Sequence, residues 1–444
     1  MPDLYPYEVP SGTTILGEYR RQAQKEPKFV WLLVALGIYL LVFASEYNQK
    51  EEPWEVSWSA MTTAEAELSA AIYADDWPGW LRWFADLESE KEALEWMSEE
   101  FEKLAALDAL DKDGMEAGKM LSALASGEIE PRSEEYWWKR YNEGLWAWER
   151  IAVARQYEEE PPEWWLEQQD AYQELHREKA LLIAGGSALW WLVFLVGLPF
   201  IPAALGCFRK KNHERLPLAT KLWRPSSVTI RYVLSNVLAG LLLGGLYLMI
   251  PDWFWDERYG LTVLVTDSAW RVTGPLLLCV TLLIRWRHAL RLLGMHLRPM
   301  MKPVLGMLSL GWIYNYLVYY TVGQFTLSES LAGLSPEEEG PWGLLYVVVS
   351  GVILAPLVEE VVFRGVLFQS YLRRFGFWLA LLLSTLFFVV IHFYGVSGSL
   401  SVAFFGMAAC ALYRATGSLW SGIVFHALTN GLIFGTMWPV YYQW

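Results

Sequence analysis

Three short stretches in the last hundred residues place charged or hydrogen-bonding side chains inside apolar runs. The first is Leu354-Ala-Pro-Leu-Val-Glu-Glu-Val-Val-Phe-Arg-Gly365, which holds Glu359, Glu360 and Arg364. The second is Phe388-Val-Val-Ile-His392, and the third is His426-Ala-Leu-Thr-Asn430. Ionisable groups inside membrane helices are costly and mark functional positions by default. Helical geometry sorts them. Glu360 and Arg364 are four apart, on one face, and can pair. Glu359 is rotated by about 100° from Glu360 and stands outside that pair. A free carboxylate in a poorly hydrated site suits a general base, although solvation at a membrane edge would also explain it. His426 and Asn430 share a face in the middle of an apolar helix. Two adjacent polar groups suit a shared ligand or an oxyanion; interhelical hydrogen bonding is the plainer explanation. His392 ends its run, where an interfacial position would suffice.

The elements that must position these residues are membrane spans. Of the 444 residues, 54% are hydrophobic and only 19% charged, more apolar than a soluble domain of this size. Crossing a bilayer takes about 20 residues. Nine runs qualify: 29–45, 180–208, 228–250, 261–284, 304–325, 344–368, 377–396, 399–413 and 419–441. The fourth, which contains Asp267 and Arg271, and the short eighth are the weakest. The predicted class is all-α, a polytopic membrane protein of about eight to nine transmembrane helices with an inserted soluble helical domain. The three cysteines, Cys207, Cys279 and Cys410, show no zinc spacing.

The net charge of −14 is unevenly spread. Residues 46–179 hold 34 Asp and Glu against 13 Lys and Arg, while the remainder holds 15 against 22. Such an acidic block argues against a nucleic-acid partner. It carries 12 of the 26 Trp residues. Its apolar spacing over 88–110 and 134–157 predicts helices, with breaks at Glu130-Pro131 and Pro161-Pro162. The Trp residues read as core and helix packing, or as a platform for a protein partner or the membrane interface. Basic loops at 20–28, 209–224, 285–302 and 373–374 alternate with acidic loops at 252–257 and 337–339. This predicts a cytoplasmic N-terminus and an extracytoplasmic acidic block. Val42-Phe43-Ala44 would also fit a signal-peptide cleavage site, but the preceding segment is long for one. The expected division is a cytoplasmic segment 1–28, an anchor 29–45, the acidic block 46–179, helices over 180–299 and a core over 300–444.

The three clusters, taken in order, resemble the CPBP family, the CAAX prenyl proteases and bacteriocin-processing (Abi) intramembrane proteases. The family's EExxxR, FxxxH and HxxxN motifs stand here as Glu359-Glu360…Arg364, Phe388…His392 and His426…Asn430. The stretch from Gly406-Met through Tyr413-Arg-Ala-Thr-Gly417-Ser-Leu419 is also similar. The resemblance covers roughly 300–437 and nothing in 1–227. It implies a glutamic-type intramembrane endopeptidase without a cofactor, acting on a membrane-associated protein or peptide. The equivalents of Glu359 and His392 would activate water. Those of His426 and Asn430 would stabilise the oxyanion. Glu360 and Arg364 would hold the helix, with Phe388 in support.

Alternatives stay open at this stage. Glu359, His392 and His426 could ligate zinc with an open position for water, although no HExxH is present. The core could be a non-catalytic scaffold or immunity protein. A transporter would show inverted repeats, and none is visible. The lipid bilayer is the one partner common to every reading. A depth conflict also stands: counted along their spans, Glu359 lies about 22 Å from one membrane face and His392 about 22 Å from the other. Catalysis requires the two to meet.

Overall fold

The computed structural model describes residues 53–128, 131–209, 223–247, 249, 259–282, 290–322, 340–392 and 394–442. The N-terminal segment, the first expected span and the charged loops at 210–222, 252–257, 285–287 and 337–339 lie outside the described residues. Among those described, every regular element is helical.

The acidic block forms six helices: α1 (Pro53–Ala74), α2 (Gly79–Ala85), α3 (Glu90–Ala106), α4 (Lys112–Ser126), α5 (Glu134–Glu143) and α6 (Ala147–Gln156). Local signals set their ends. Ser89 and Glu92 close a capping box at the start of α3, and Asp111 and Ser133 cap α4 and α5. The core is built on Leu68, Leu94, Met97, Phe101, Leu121, Trp137 and Trp148. A buried polar network ties α1 to α6. Arg150 Nη2 donates to Glu65 Oε1 at 2.6 Å and to Ser69 Oγ at 2.7 Å, and the Ala147 amide donates to Glu65 Oε2 at 2.6 Å. Trp137, Trp148, Trp164 and Trp165 are buried, whereas Trp54, Trp80, Trp83 and Trp138 are exposed. Core packing therefore explains only part of the tryptophan content.

Six helices are long and apolar enough to cross a membrane: Glu163–Arg209, Pro225–Leu246, Leu261–Thr281, Gly340–Leu372, Val396–Thr416 and Leu419–Tyr441. They match six of the nine expected spans, and the chain is a multi-pass membrane protein. The expected count of eight to nine is not reached among the described residues, for physical reasons. The run at 304–325 does form a 22-residue helix, α11 (Met301–Val322), but Asn315, Trp312 and four Tyr residues lower its hydropathy. The run at 377–396 yields a shorter helix that ends at Val390.

The first of the six spans is α7 (Glu163–Gly197), which continues through a 3-10 turn over Leu198–Phe200 into α8 (Ile201–Arg209). Its N-terminal half packs in the acidic block and its C-terminal half is membrane-spanning. About 20 residues back from Arg209, enough to cross about 30 Å, lie Trp190 and Trp191. Trp191 packs on Phe84 of α2 at 5.6 Å and on Trp312 of α11 at 4.6 Å. Such an aromatic cluster is typical of a membrane–water boundary. Next come α9 (Pro225–Tyr247) and α10 (Tyr259–Thr281).

The fourth span is irregular. Helix α12 (Gly340–Tyr346) widens into a π-helical stretch over Val347–Leu354, returns to α-helix as α13 (Ala355–Glu359), and widens again over Glu360–Phe368. Two π-helical stretches in one span are unusual, and such bulges often sit at functional sites. Helix α14 (Gln369–Val390) is broken at Gly376, whose φ of 75° and ψ of −179° suit glycine alone. Helices α15 (Val396–Thr416) and α16 (Leu419–Tyr441) complete the chain.

The two parts share a core. Val347, Trp438 and Tyr442 join the apolar cluster of the acidic block. Tyr442 stacks on Trp58 with centroids 6.2 Å apart, and Lys179 Nζ donates to the Val440 carbonyl at 2.5 Å.

Candidate active site

Glu359 closes α13 and Glu360 opens the following π-helical stretch. Glu360 and Arg364 pair as their spacing predicts, Oε1 to Nη1 at 2.8 Å, with side chains 0% and 1% exposed. The Arg364 guanidinium lies over the Phe388 ring, 4.2 Å from its centroid. Phe388 is thus the floor under the buried cation. Small residues make room: a Cβ on Gly422 of α16 would stand 2.6 Å from Glu360 Oε2.

His426 of α16 lies between the two glutamates. Its Nδ1–H donates to Glu360 Oε1 at 3.2 Å, which turns Nε2 toward Glu359 Oε2 at 3.9 Å. Glu359 Oε2 is buried and has no hydrogen-bond partner among the described residues. Glu359 is not the isolated carboxylate its rotation predicts, because Arg271 Nη1 of α10 reaches its Oε1 at 3.5 Å. Arg271 in turn pairs with Asp267 at 2.7 Å. The signal for this pair was an Asp and an Arg four apart inside an apolar run. Nothing in the sequence ties Arg271 to Glu359, 88 positions away.

His392 follows the end of α14. Its Nδ1–H donates to the Phe388 carbonyl at 2.6 Å, and its ring lies 4.6 Å from that of Phe388. Phe388 also lies 6.1 Å from His426, so one aromatic ring separates the two imidazoles. Among the described residues, Glu359 pairs with Arg271 and His426 and makes no ion pair with His392. The depth conflict does not keep the motifs apart: one ring, Phe388, lies beside both His392 and His426 and under Arg364, so the second motif meets the other two. Asn430 is one turn beyond His426. Its Nδ2 donates to the carbonyl of Gly351 at 2.8 Å, in the first π-helical stretch. One amide hydrogen remains available.

The structure therefore brings Glu359, Glu360, Arg364, Phe388 and His426 into direct contact and sets His392 and Asn430 beside them. Among the described residues, no three His, Cys, Asp or Glu side chains gather into a metal-holding group.

Comparison with protein families finds a match to the Rce1-like family, described as type II CAAX prenyl endopeptidase Rce1-like, over residues 341–432. Those bounds enclose every candidate residue from Glu359 to Asn430 and exclude Asp267 and Arg271. No curated protein and no solved structure gives a match. The order of the three motifs, their convergence on one buried site and this match agree: within a multi-pass membrane protein, residues 341–432 are similar to the Rce1-like, type II CAAX prenyl endopeptidase family.

Proposed function

We propose that this protein is a glutamic-type intramembrane endopeptidase that hydrolyses a peptide bond in a membrane-associated protein or peptide. The observation that carries the reading is the unpartnered, buried Oε2 of Glu359 facing His426 Nε2 across 3.9 Å. A water between them would lose a proton to Oε2, and its oxygen would add to the scissile carbonyl carbon. The free amide hydrogen of Asn430 would receive the oxyanion, joined by Nε2–H of His426 when the ring carries both protons, Nδ1–H staying on Glu360. When the C–N bond breaks, the proton on Glu359 passes to the leaving amine. His392, one ring away, would orient the water from the other side. Glu360 and Arg364 hold His426 and the π-helical backbone in place.

The family's printed substrate class suggests the probe, a farnesylated peptide ending in a CaaX sequence, with its unprenylated counterpart alongside. Purified protein should cleave at least one of them. Glu359→Gln should abolish cleavage while keeping the wild-type melting temperature, and Asn430→Ala should lose about 10²–10³ in rate. Cleavage should survive strong chelators; its loss would favour the zinc reading. Wild-type turnover by Glu359→Gln would instead leave a scaffold that keeps the motifs for packing.

A further inference from the structure

We infer that Arg271, anchored by Asp267, is a positioning residue for Glu359, and that α10 is part of the active site although it lies outside the family-matched segment. The inference rests on the proposed role of Glu359. The two oxygens of that carboxylate have different surroundings. Oε1 is held by Arg271 Nη1 at 3.5 Å, and Oε2 is buried without a hydrogen-bond partner among the described residues. A carboxylate free to rotate about its last bond would present either oxygen to water. Pinning Oε1 fixes which oxygen accepts the proton and where it stands relative to His426 Nε2.

The pin is itself fixed. Asp267 Oδ2 accepts from Arg271 Nε at 2.7 Å and from the hydroxyl of Ser350. Ser350 stands next to Gly351, whose carbonyl holds Asn430. One aspartate on α10 thus connects, through Arg271, to the base and, through the first π-helical stretch, to the residue that holds Asn430. Arg271 is 31% exposed and Glu359 15%, against 1% and 0% for Arg364 and Glu360, so this pair is less enclosed than the other.

A simpler function for Arg271 would be to balance charge. The cluster has three carboxylates, Asp267, Glu359 and Glu360, against two guanidinium groups, Arg271 and Arg364. Asp267→Asn separates the two roles. It leaves the Arg271 charge in place, replaces its charged anchor with a weaker neutral acceptor, and brings the cluster to two carboxylates against two guanidinium groups, so charge balance is not worsened. If Arg271 merely balances charge, this variant should turn over normally. If Arg271 positions Glu359, turnover should fall.

The test compares wild type, Arg271→Gln, Arg271→Lys, Asp267→Asn and Glu359→Gln on the farnesylated CaaX peptide, with kcat and KM measured separately and melting temperatures alongside. Misplacing a catalytic group costs up to about 10²-fold, and loss of an outer-shell partner about 10–100-fold. We expect kcat to fall by about 10²-fold in Arg271→Gln and about 10-fold in Asp267→Asn, with KM within about twofold. Arg271→Lys should recover part of the loss. Where Arg271→Gln does not fold, Asp267→Asn carries the test. Wild-type kcat in Asp267→Asn beside an inactive Glu359→Gln would overturn the inference and leave the proposed function standing. An active Glu359→Gln, or wild-type protein that cleaves neither peptide, would overturn the proposed function and the inference with it.

Discussion

Glu360 and Arg364 are fully desolvated and paired, and His426 Nδ1 stands 3.2 Å from the same Glu360 oxygen. Removing one member of such a pair leaves a buried charge and costs about 3–5 kcal/mol. Glu360→Gln and Arg364→Gln should therefore unfold at markedly lower denaturant in micelles, whereas Glu359→Gln, partly exposed and more loosely held, should unfold near wild type. Gly422→Ala probes the same point from α16. Its methyl would meet Glu360 Oε2 at 2.6 Å, an overpacking that typically costs about 1–3 kcal/mol. Stability equal to wild type would mean that the Glu360 pocket is looser than described here. The Glu360–Arg364 pair was legible in the sequence because four residues of helix bring two side chains together. The Arg271 contact was not, because helix packing rather than spacing creates it. The same holds for His426, whose neighbour proved to be Glu360 as well as Glu359.

At the scale of elements, Gly376 sets the direction of the helical piece that carries Phe388 and ends at Val390, just before His392. The backbone at Gly376 is in a region essentially reserved for glycine, and a side chain costs about 1–3 kcal/mol. Gly376→Ala should lower stability by that amount and, by shifting the 377–390 helix, reduce cleavage more than Gly435→Ala, a position where a Cβ meets nothing within 4 Å. Equal activity of the two would separate helix placement from His392. The sequence predicted helices and most span limits because hydropathy reports them directly. The break after 368 was legible too, because Arg373 and Arg374 separate the apolar runs 344–368 and 377–396. The π-helical stretches were not, since no residue pattern in the run announces them.

At the scale of the molecule, the acidic block and helix α16 meet at Glu67, whose carboxylate accepts from Tyr441 Oη at 2.6 Å. Burial raises the Glu67 pKa from 4.5 to about 7, the Tyr441 hydrogen bond opposes this, and Asp86 and Glu88 add to it. The folded protein thus holds this proton more tightly than the unfolded chain. The stabilisation is complete below about 4.5 and is lost as pH rises through about 7. Thermal unfolding of wild type should weaken between pH 5 and 8, and Glu67→Gln should flatten that slope. We propose that the block lies outside the cell, opposite the basic loop at 209–224. Protease added to sealed right-side-out vesicles should then digest the block and spare that loop. Charge alternation made the orientation readable as an expectation; the shared core was not, because Trp58 and Tyr442 stand far apart in the sequence. That separation also sets a timetable. At about 5–20 residues per second, a ribosome needs roughly half a minute to pass from Trp58 to Tyr442. Until then one corner of the block's core stays open, so its folding is completed only after the helix bearing His426 and Asn430 has been made, and the finished block reports that the last span has arrived.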